Sequence, residues 1–315
     1  MTAIYIGISG WRYAPWRGDF YPKGLTQKNE LHFASRAISS IEINGSFYSL
    51  QTPERYANWY ADTPKGFVFS VKAPRYITHI RRLKDIEKPL ANFFASGVFE
   101  LKEKLGPILW QFPPSFRYNP ESFEAFLALL PHDTAAALAR AKGCEPRMEG
   151  HSLLKIDRKR PLRHAVEIRH KSFVDPGFVA LLRRYKVALV VADTAGKWPY
   201  CEDLSADFVY MRLHGDEKLY ASGYSDSAIE RWSKRIECWS RGGQAPDANL
   251  ITPRKPRARR SRAVYCYFDN DIKVRAPYDA RHLIHQLGLE HGLQATPGKP
   301  GMSDDKPNDD RETTP

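Results

Sequence analysis

A chain of 315 residues, 42% apolar and 27% charged, has enough material for a sizeable core, and no apolar run approaches the ~20 residues of a membrane-spanning helix. Four cysteines, Cys144, Cys201, Cys238 and Cys266, lie far apart with no CxxC pair, so neither a disulfide framework nor a structural zinc is indicated. The chain begins almost directly in a strand pattern, with no signal-peptide signature, and a cytoplasmic protein without a membrane partner is expected.

Eight strand-length stretches follow in order: Ile4 to Gly10, Ser40 to Asn44, Phe67 to Ala73, Pro107 to Phe112, His164 to His170, Ala188 to Thr194, Phe208 to Gly215 and Val264 to Asn270. Each is apolar on one parity. The other parity gathers its polar residues toward the C-terminal end: Ser9, Glu42 with Asn44, Ser70 with Lys72, Leu109 with Gln111, Glu167 with Arg169, Asp193, Arg212 with His214, and Tyr267 with Asp269.

Helical spacing fills most gaps, through Leu31, Ala34 and Ile38, then Leu90 to Leu101, Phe123 to Leu130, Phe178 to Leu182 and Leu283 to Leu287. Helix starts are marked by Thr52-Pro53, Pro89, Asn119-Pro120, Asp175-Pro176 and Pro277, since proline suits the first helical turn. The gap from Thr194 to Asp207 is too short for a full helix. Alternating strands and helices imply right-handed βαβ units and a parallel sheet. Eight of them predict an α/β protein, a single-domain (β/α)8 TIM barrel over residues 1–294. An open doubly wound sheet is the alternative, and no glycine-rich phosphate fingerprint follows the first strand to support it.

The net charge of +12 is unevenly placed. Arg140 to Arg163 carries +5, Ile251 to Arg262 carries +6, and the tail from Gly298 carries −2. Most of the excess therefore sits in two insertions, 132–163 and 242–262, each preceding a strand and so expected on the face opposite the C-terminal ends. Arg254, Lys255, Arg257, Arg259, Arg260 and Arg262 could form an arm for nucleic acid; a solvated, mobile loop is the plainer reading. Residues 295–315 read as a disordered polar tail.

The motifs GISGWRYAPWRGDFYP, EINGSFYSL, FVFSVKAPRYITH, LGPILWQFPP, AVEIRHKSF, ADT, VYMRLHG and YCYFDND resemble, in order, those of the YecE-like family, also known as domain of unknown function 72. The resemblance runs from the first strand to the eighth and implies a TIM barrel. It implies no particular activity.

Active sites of such barrels lie at the C-terminal mouth. The expected catalytic set is Glu167 and His214 as general base and acid, with Asp193 or Asp269 orienting the histidine or a cation. The expected substrate-binding set is Ser9, Trp11, Tyr13, Glu42, Asn44, Tyr48, Lys72, Arg75, His79, Gln111, Arg169, Arg212 and Asn270, with Trp16 and Phe47 also on an aromatic rim. Lys72, Arg75 and Arg212 suit a small anionic, sugar-like substrate. A Mg2+ or Mn2+ site using Glu42, Glu167, Asp193, His214 and Asp269 is a second possibility, for an isomerase or hydrolase. A non-catalytic binding protein is a third. The same charges could instead form a self-satisfied lattice, since buried ions must be paired.

Overall fold

The computed structural model describes residues 3–299. Eight parallel strands close a barrel in chain order: β1 (Ile4–Ser9), β2 (Ser40–Ile43), β3 (Val68–Lys72), β4 (Leu105–Gln111), β5 (His164–Glu167), β6 (Ala188–Asp193), β7 (Phe208–Leu213) and β8 (Ala263–Phe268). β8 pairs with β1, so no sheet edge is left open. Gly7 makes one of these contacts possible, because a Cβ there would fall 1.7 Å from the Ser40 carbonyl oxygen on the neighbouring strand.

Side-chain parity sorts the barrel into two cores. Ile6, Ile8, Ile41, Ile43, Trp110, Val166, Val191 and Met211 pack outward against the helices. Val68, Leu109, Ala165, Val190, Phe208, Tyr210, Tyr265 and Tyr267 fill the interior. Along β7 the inward residues run Phe208, Tyr210, Arg212, from hydrocarbon through hydroxyl to charge, and all are buried.

The helices are α1 (Glu30–Ala37), α2 (Gly45–Tyr48), α3 (Pro53–Asp62), α4 (Glu87–Ala95), α5 (Pro120–Leu129), α6 (Thr134–Ala141), α7 (Pro176–Arg184), α8 (Asp226–Ser240) and α9 (Arg275–Gln286). The Thr52, Asn119 and Asp175 side chains accept from backbone N–H groups three residues on, at 3.3, 2.9 and 3.1 Å, and cap α3, α5 and α7. Pro89 and Pro277 do not open their helices. Each is the third residue of its element, still inside the first turn where a missing N–H costs nothing. α8, with 15 residues, turns Ile229, Trp232, Ile236 and Trp239 to the core; that spacing was legible but lies outside the helices anticipated. No helix among the described residues is long and apolar enough to cross a membrane.

Both basic insertions connect a helix to the next strand, on the face away from the strand C-termini. The first is more than a loop. It contains α6, which buries Ala137 and Ala141 and packs on α4, and the Leu153 N–H donates to the Ala95 carbonyl at 2.8 Å. In the second, Arg254, Lys255, Arg257, Arg259 and Arg260 are exposed. Arg262 departs from the expected arm: it is buried, and its guanidinium donates to the carbonyls of Gly242 at 2.6 Å and Arg257 at 3.0 Å, so it holds the insertion together instead. Packing also continues past the expected end of the domain at 294. Ala295 is buried and bonds to the Arg36 carbonyl, and the Gly298 N–H reaches the Phe20 carbonyl. The remainder of the anticipated tail, 300–315, lies outside the described residues.

Candidate active site at the barrel mouth

Arg212 is the hub. Its side chain is fully buried at the end of β7, where it meets three carboxylates. Nε and Nη2 donate to Glu42 at 3.1 and 2.9 Å, Nη1 donates to Glu167 at 2.7 Å, and Nη2 also reaches Asp269 at 2.8 Å. The planar five-donor fork suits such multiple pairing. Glu42 further accepts from the Tyr210 hydroxyl at 2.6 Å and from the Ser9 hydroxyl. Glu167 accepts from Arg169 Nε at 2.7 Å, and the Arg169 guanidinium carbon lies over the Trp198 ring, 3.8 Å from its centroid.

This pairing sets the protonation of the acids. Burial alone would raise the Glu167 carboxyl, but the Arg169 and Arg212 guanidiniums, with His214 and Lys72, hold it well below the ordinary carboxylate range. Asp269, whose side chain is 15% exposed, is likewise held down against desolvation by Arg212 and His214. Both stay ionised near neutrality and both are already engaged. His214 is fully buried with its ring edge-on to Tyr220, 5.3 Å between centroids. Its Nε2 faces Arg212 Nη1 at 3.4 Å and its Nδ1 lies 3.1 Å from Asp269 Oδ2. Glu167 and His214, expected as base and acid, are thus locked members of an ion lattice.

Two cations stand apart from it. Lys72, at the end of β3, is 8% exposed and donates no hydrogen bond among the described residues; its ammonium lies 4.2 Å from the centre of the Phe47 ring. Burial, then the nearby Arg212, lower its pKa from 10.5 to about 8, against the opposing pull of Glu42, Asp269 and Glu167. Arg75, just beyond β3, is exposed and likewise makes no hydrogen bond among the described residues. His79 sits in the field of both. Burial first, then Lys72, Arg169 and Arg75, push its pKa down to about 4, so its imidazole is neutral at pH 7. Its ring stands edge-on to Phe47 at 5.1 Å, and its Nδ1 meets the Thr78 hydroxyl at 2.8 Å. The π-turn Tyr76–Ile80 after β3 supplies this placement. Gln111, buried at the end of β4 beside Glu167 in register, leaves its amide without a hydrogen-bond partner among the described residues.

Other expected residues lie around this centre. The Asn44 amide donates to the Ser9 hydroxyl at 2.9 Å, and the Tyr13 hydroxyl donates to the Ser9 carbonyl at 2.6 Å. Trp11, Tyr13, Asn44 and Tyr48 line a cleft of about 1720 Å³ between α1 and α3, with Gly10 also in its wall. Tyr48 is 71% exposed, whereas Trp16 is buried in an aromatic cluster, edge-on to Phe20 and tilted to Tyr21, and is not on the rim.

Two expected residues are placed elsewhere. Asp193 falls on the outward parity of β6, because Ala192 pairs with Arg212 and takes the inward position; the Asp193 carboxylate accepts from the Tyr224 hydroxyl at 3.3 Å, and burial raises its pKa. Asn270 donates to Asp279 at 2.7 Å and to the Ser222 carbonyl at 2.9 Å, tying β8 to α9 and the loop before α8. With Asp193 outside and Glu42, Glu167 and Asp269 converging on the Arg212 guanidinium, no group of three or more His, Cys, Asp or Glu among the described residues is arranged to hold a metal. Four contributors stand outside the expected set: Tyr210, visible from β7 parity; Trp198 and Tyr220, from loops with no strand pattern; and Asp271, whose carboxyl burial and Asp269 push up to about 6.

A closed parallel barrel with a charged C-terminal mouth places the molecule among (β/α)8 proteins. The description "Protein of unknown function DUF72" matches residues 5–303, and the chain belongs to that family. It is 30% identical over 127 residues to UPF0759 protein YunF of Bacillus subtilis and 28% identical over 113 residues to UPF0759 protein YecE of Escherichia coli. These alignments take in 38% and 36% of this chain and span 43% and 39% of those relatives' lengths. A DUF72 protein from Thermotoga maritima superposes with a TM-score of 0.66 at 22% identity, covering 91% of this chain and 99% of the other. One from Enterococcus faecalis gives 0.62 at 17% identity, with 96% and 100% covered.

Proposed function

We propose that the protein is an enzyme whose barrel mouth binds a small anionic substrate through Lys72 and Arg75 and works by proton transfer there. The observation that carries this reading is the contrast in pairing. Arg212 has all three guanidinium nitrogens engaged and Arg169 donates to Glu167 and Tyr220, whereas the buried Lys72 ammonium makes no hydrogen bond among the described residues. An unpaired buried ammonium is costly, and an incoming anion would offset the cost. The Gln111 amide offers a further donor or acceptor. Lys72, with its pKa near 8, and Asp271, near 6, can each exchange a proton around neutrality, which the paired Glu167 and Asp269 cannot. The adjoining cleft with Trp11 and Tyr48 gives room for the rest of a substrate.

The reading is tested by thermal shift with inorganic phosphate and with small carboxylic and phosphorylated compounds. A ligand at a hundredfold its Kd stabilises by about 2.7 kcal/mol. That stabilisation should appear in the unaltered protein, vanish in Lys72→Met and weaken in Arg75→Met. If Lys72→Met keeps it in full, the mouth is not the anion site.

A further inference from the structure

We propose that Lys72 is a nucleophile that forms an imine with an aldehyde or ketone bearing an acidic group. This rests on the anion-binding reading above and adds a covalent step to it. A lysine becomes a nucleophile when it is desolvated or set beside another cation, so that neutral amine is available at working pH. Lys72 meets both conditions, being 8% exposed and close to Arg212, with no hydrogen bond occupying its nitrogen among the described residues. At pH 7 about a tenth of the molecules carry the free amine, far more than an ordinary lysine would.

The step balances without a co-reactant. The ammonium gives one proton to water at the open mouth, and the amine lone pair forms a C–N bond to the carbonyl carbon as the C=O π pair moves to oxygen. Proton transfer from nitrogen to that oxygen gives a carbinolamine. Loss of its hydroxyl, with one proton returned from water, yields one water and a protonated imine. Charge at the nitrogen is the same before and after. The cation therefore stays where Glu42, Glu167 and Asp269 already attract it and where it faces the Phe47 ring. Those three carboxylates are fixed by Arg212, so they can stabilise the iminium without reorganising. Arg75 is left to hold the substrate's acid group.

The test is reductive trapping on the full chain. Protein is incubated with glyoxylate and cyanoborohydride near pH 7.5, and the adduct is located by peptide mapping. Lys72 should be modified at least about tenfold faster than the exposed Lys186. Lys72→Arg keeps the charge but not the nucleophile, so it should lose the adduct. Arg75→Met should slow trapping of glyoxylate several-fold and leave trapping of neutral acetaldehyde unchanged. If Lys72 reacts no faster than Lys186 in protein that phosphate still stabilises, the imine is overturned and anion binding stands. If phosphate stabilisation is absent as well, both fall. An equal slowing of both probes in Arg75→Met overturns the acid-bearing substrate.

Discussion

The floor of the mouth and its rim use the same residue types for opposite ends. On the floor, one arginine is surrounded by Glu42, Glu167 and Asp269, and a second arginine, a tyrosine and a serine complete their coordination. At the rim, Lys72 and Arg75 carry charge with no hydrogen-bonded partner among the described residues. Charge that is paired and buried specifies the barrel's closed end. Lys72, buried without a hydrogen-bonded partner among the described residues, carries a desolvation cost that a ligand can relieve, and Arg75 is exposed. A list of ionisable residues cannot separate these; hydrogen bonding does.

That comparison breaks first at Arg212. Arg212→Met leaves three buried carboxylates facing one another, and removing one partner of a buried pair typically costs about 3–5 kcal/mol. Urea denaturation should show a loss of that size, and a loss under about 1 kcal/mol would mean the floor is not a lattice. Lys72→Met should do the reverse. The folded Lys72 has a pKa near 8 against 10.5 when unfolded, so the unfolded chain holds more protons between those values and stability rises with pH across that window. Below pH 8 the buried ammonium costs the wild type roughly 3 kcal/mol. The variant should therefore be more stable at pH 7, with the difference closing by about pH 10.5.

On the acid side stability again rises with pH. Glu167 and Asp269 have depressed folded pKa values, so their stabilisation is complete above the ordinary values of 4.5 and 3.8 and is lost as pH falls below them. Glu167→Gln should flatten that acid limb in chemical denaturation. The smallest effect belongs to Asp193→Asn. Its carboxyl is outside the ring and its pKa is raised by burial, so stability should change by less than about 1 kcal/mol and phosphate stabilisation should be untouched.

The barrel was legible because strand parity is a period-2 signal, and it placed Glu42, Lys72, Gln111, Glu167 and Arg212 correctly at one end. It failed at Asp193, where β6 offers Ala188, Val190 and Ala192 as its inward set and small apolar residues lie on both faces. Nothing in a polarity pattern distinguishes those faces. Asn270 and Arg262 were misplaced for a different reason: an amide and a guanidinium in loops read as available, whereas each satisfies buried backbone groups or a neighbouring carboxylate. Trp198 and Tyr220 reach the mouth from the loops after β6 and β7, where the order of residues carries no spatial period. Whether a given acid is free or taken depends on partners far apart in sequence, such as Glu42 with Arg212, and that is where sequence reasoning stops.

Lys72 is a buried cation with no hydrogen-bonded partner among the described residues. Its protonation can be read directly by titrating the protein labelled with 13C at lysine Cε and assigning the resonance that Lys72→Arg removes. A midpoint near 8 agrees with the account, and one at the ordinary 10.5 contradicts it.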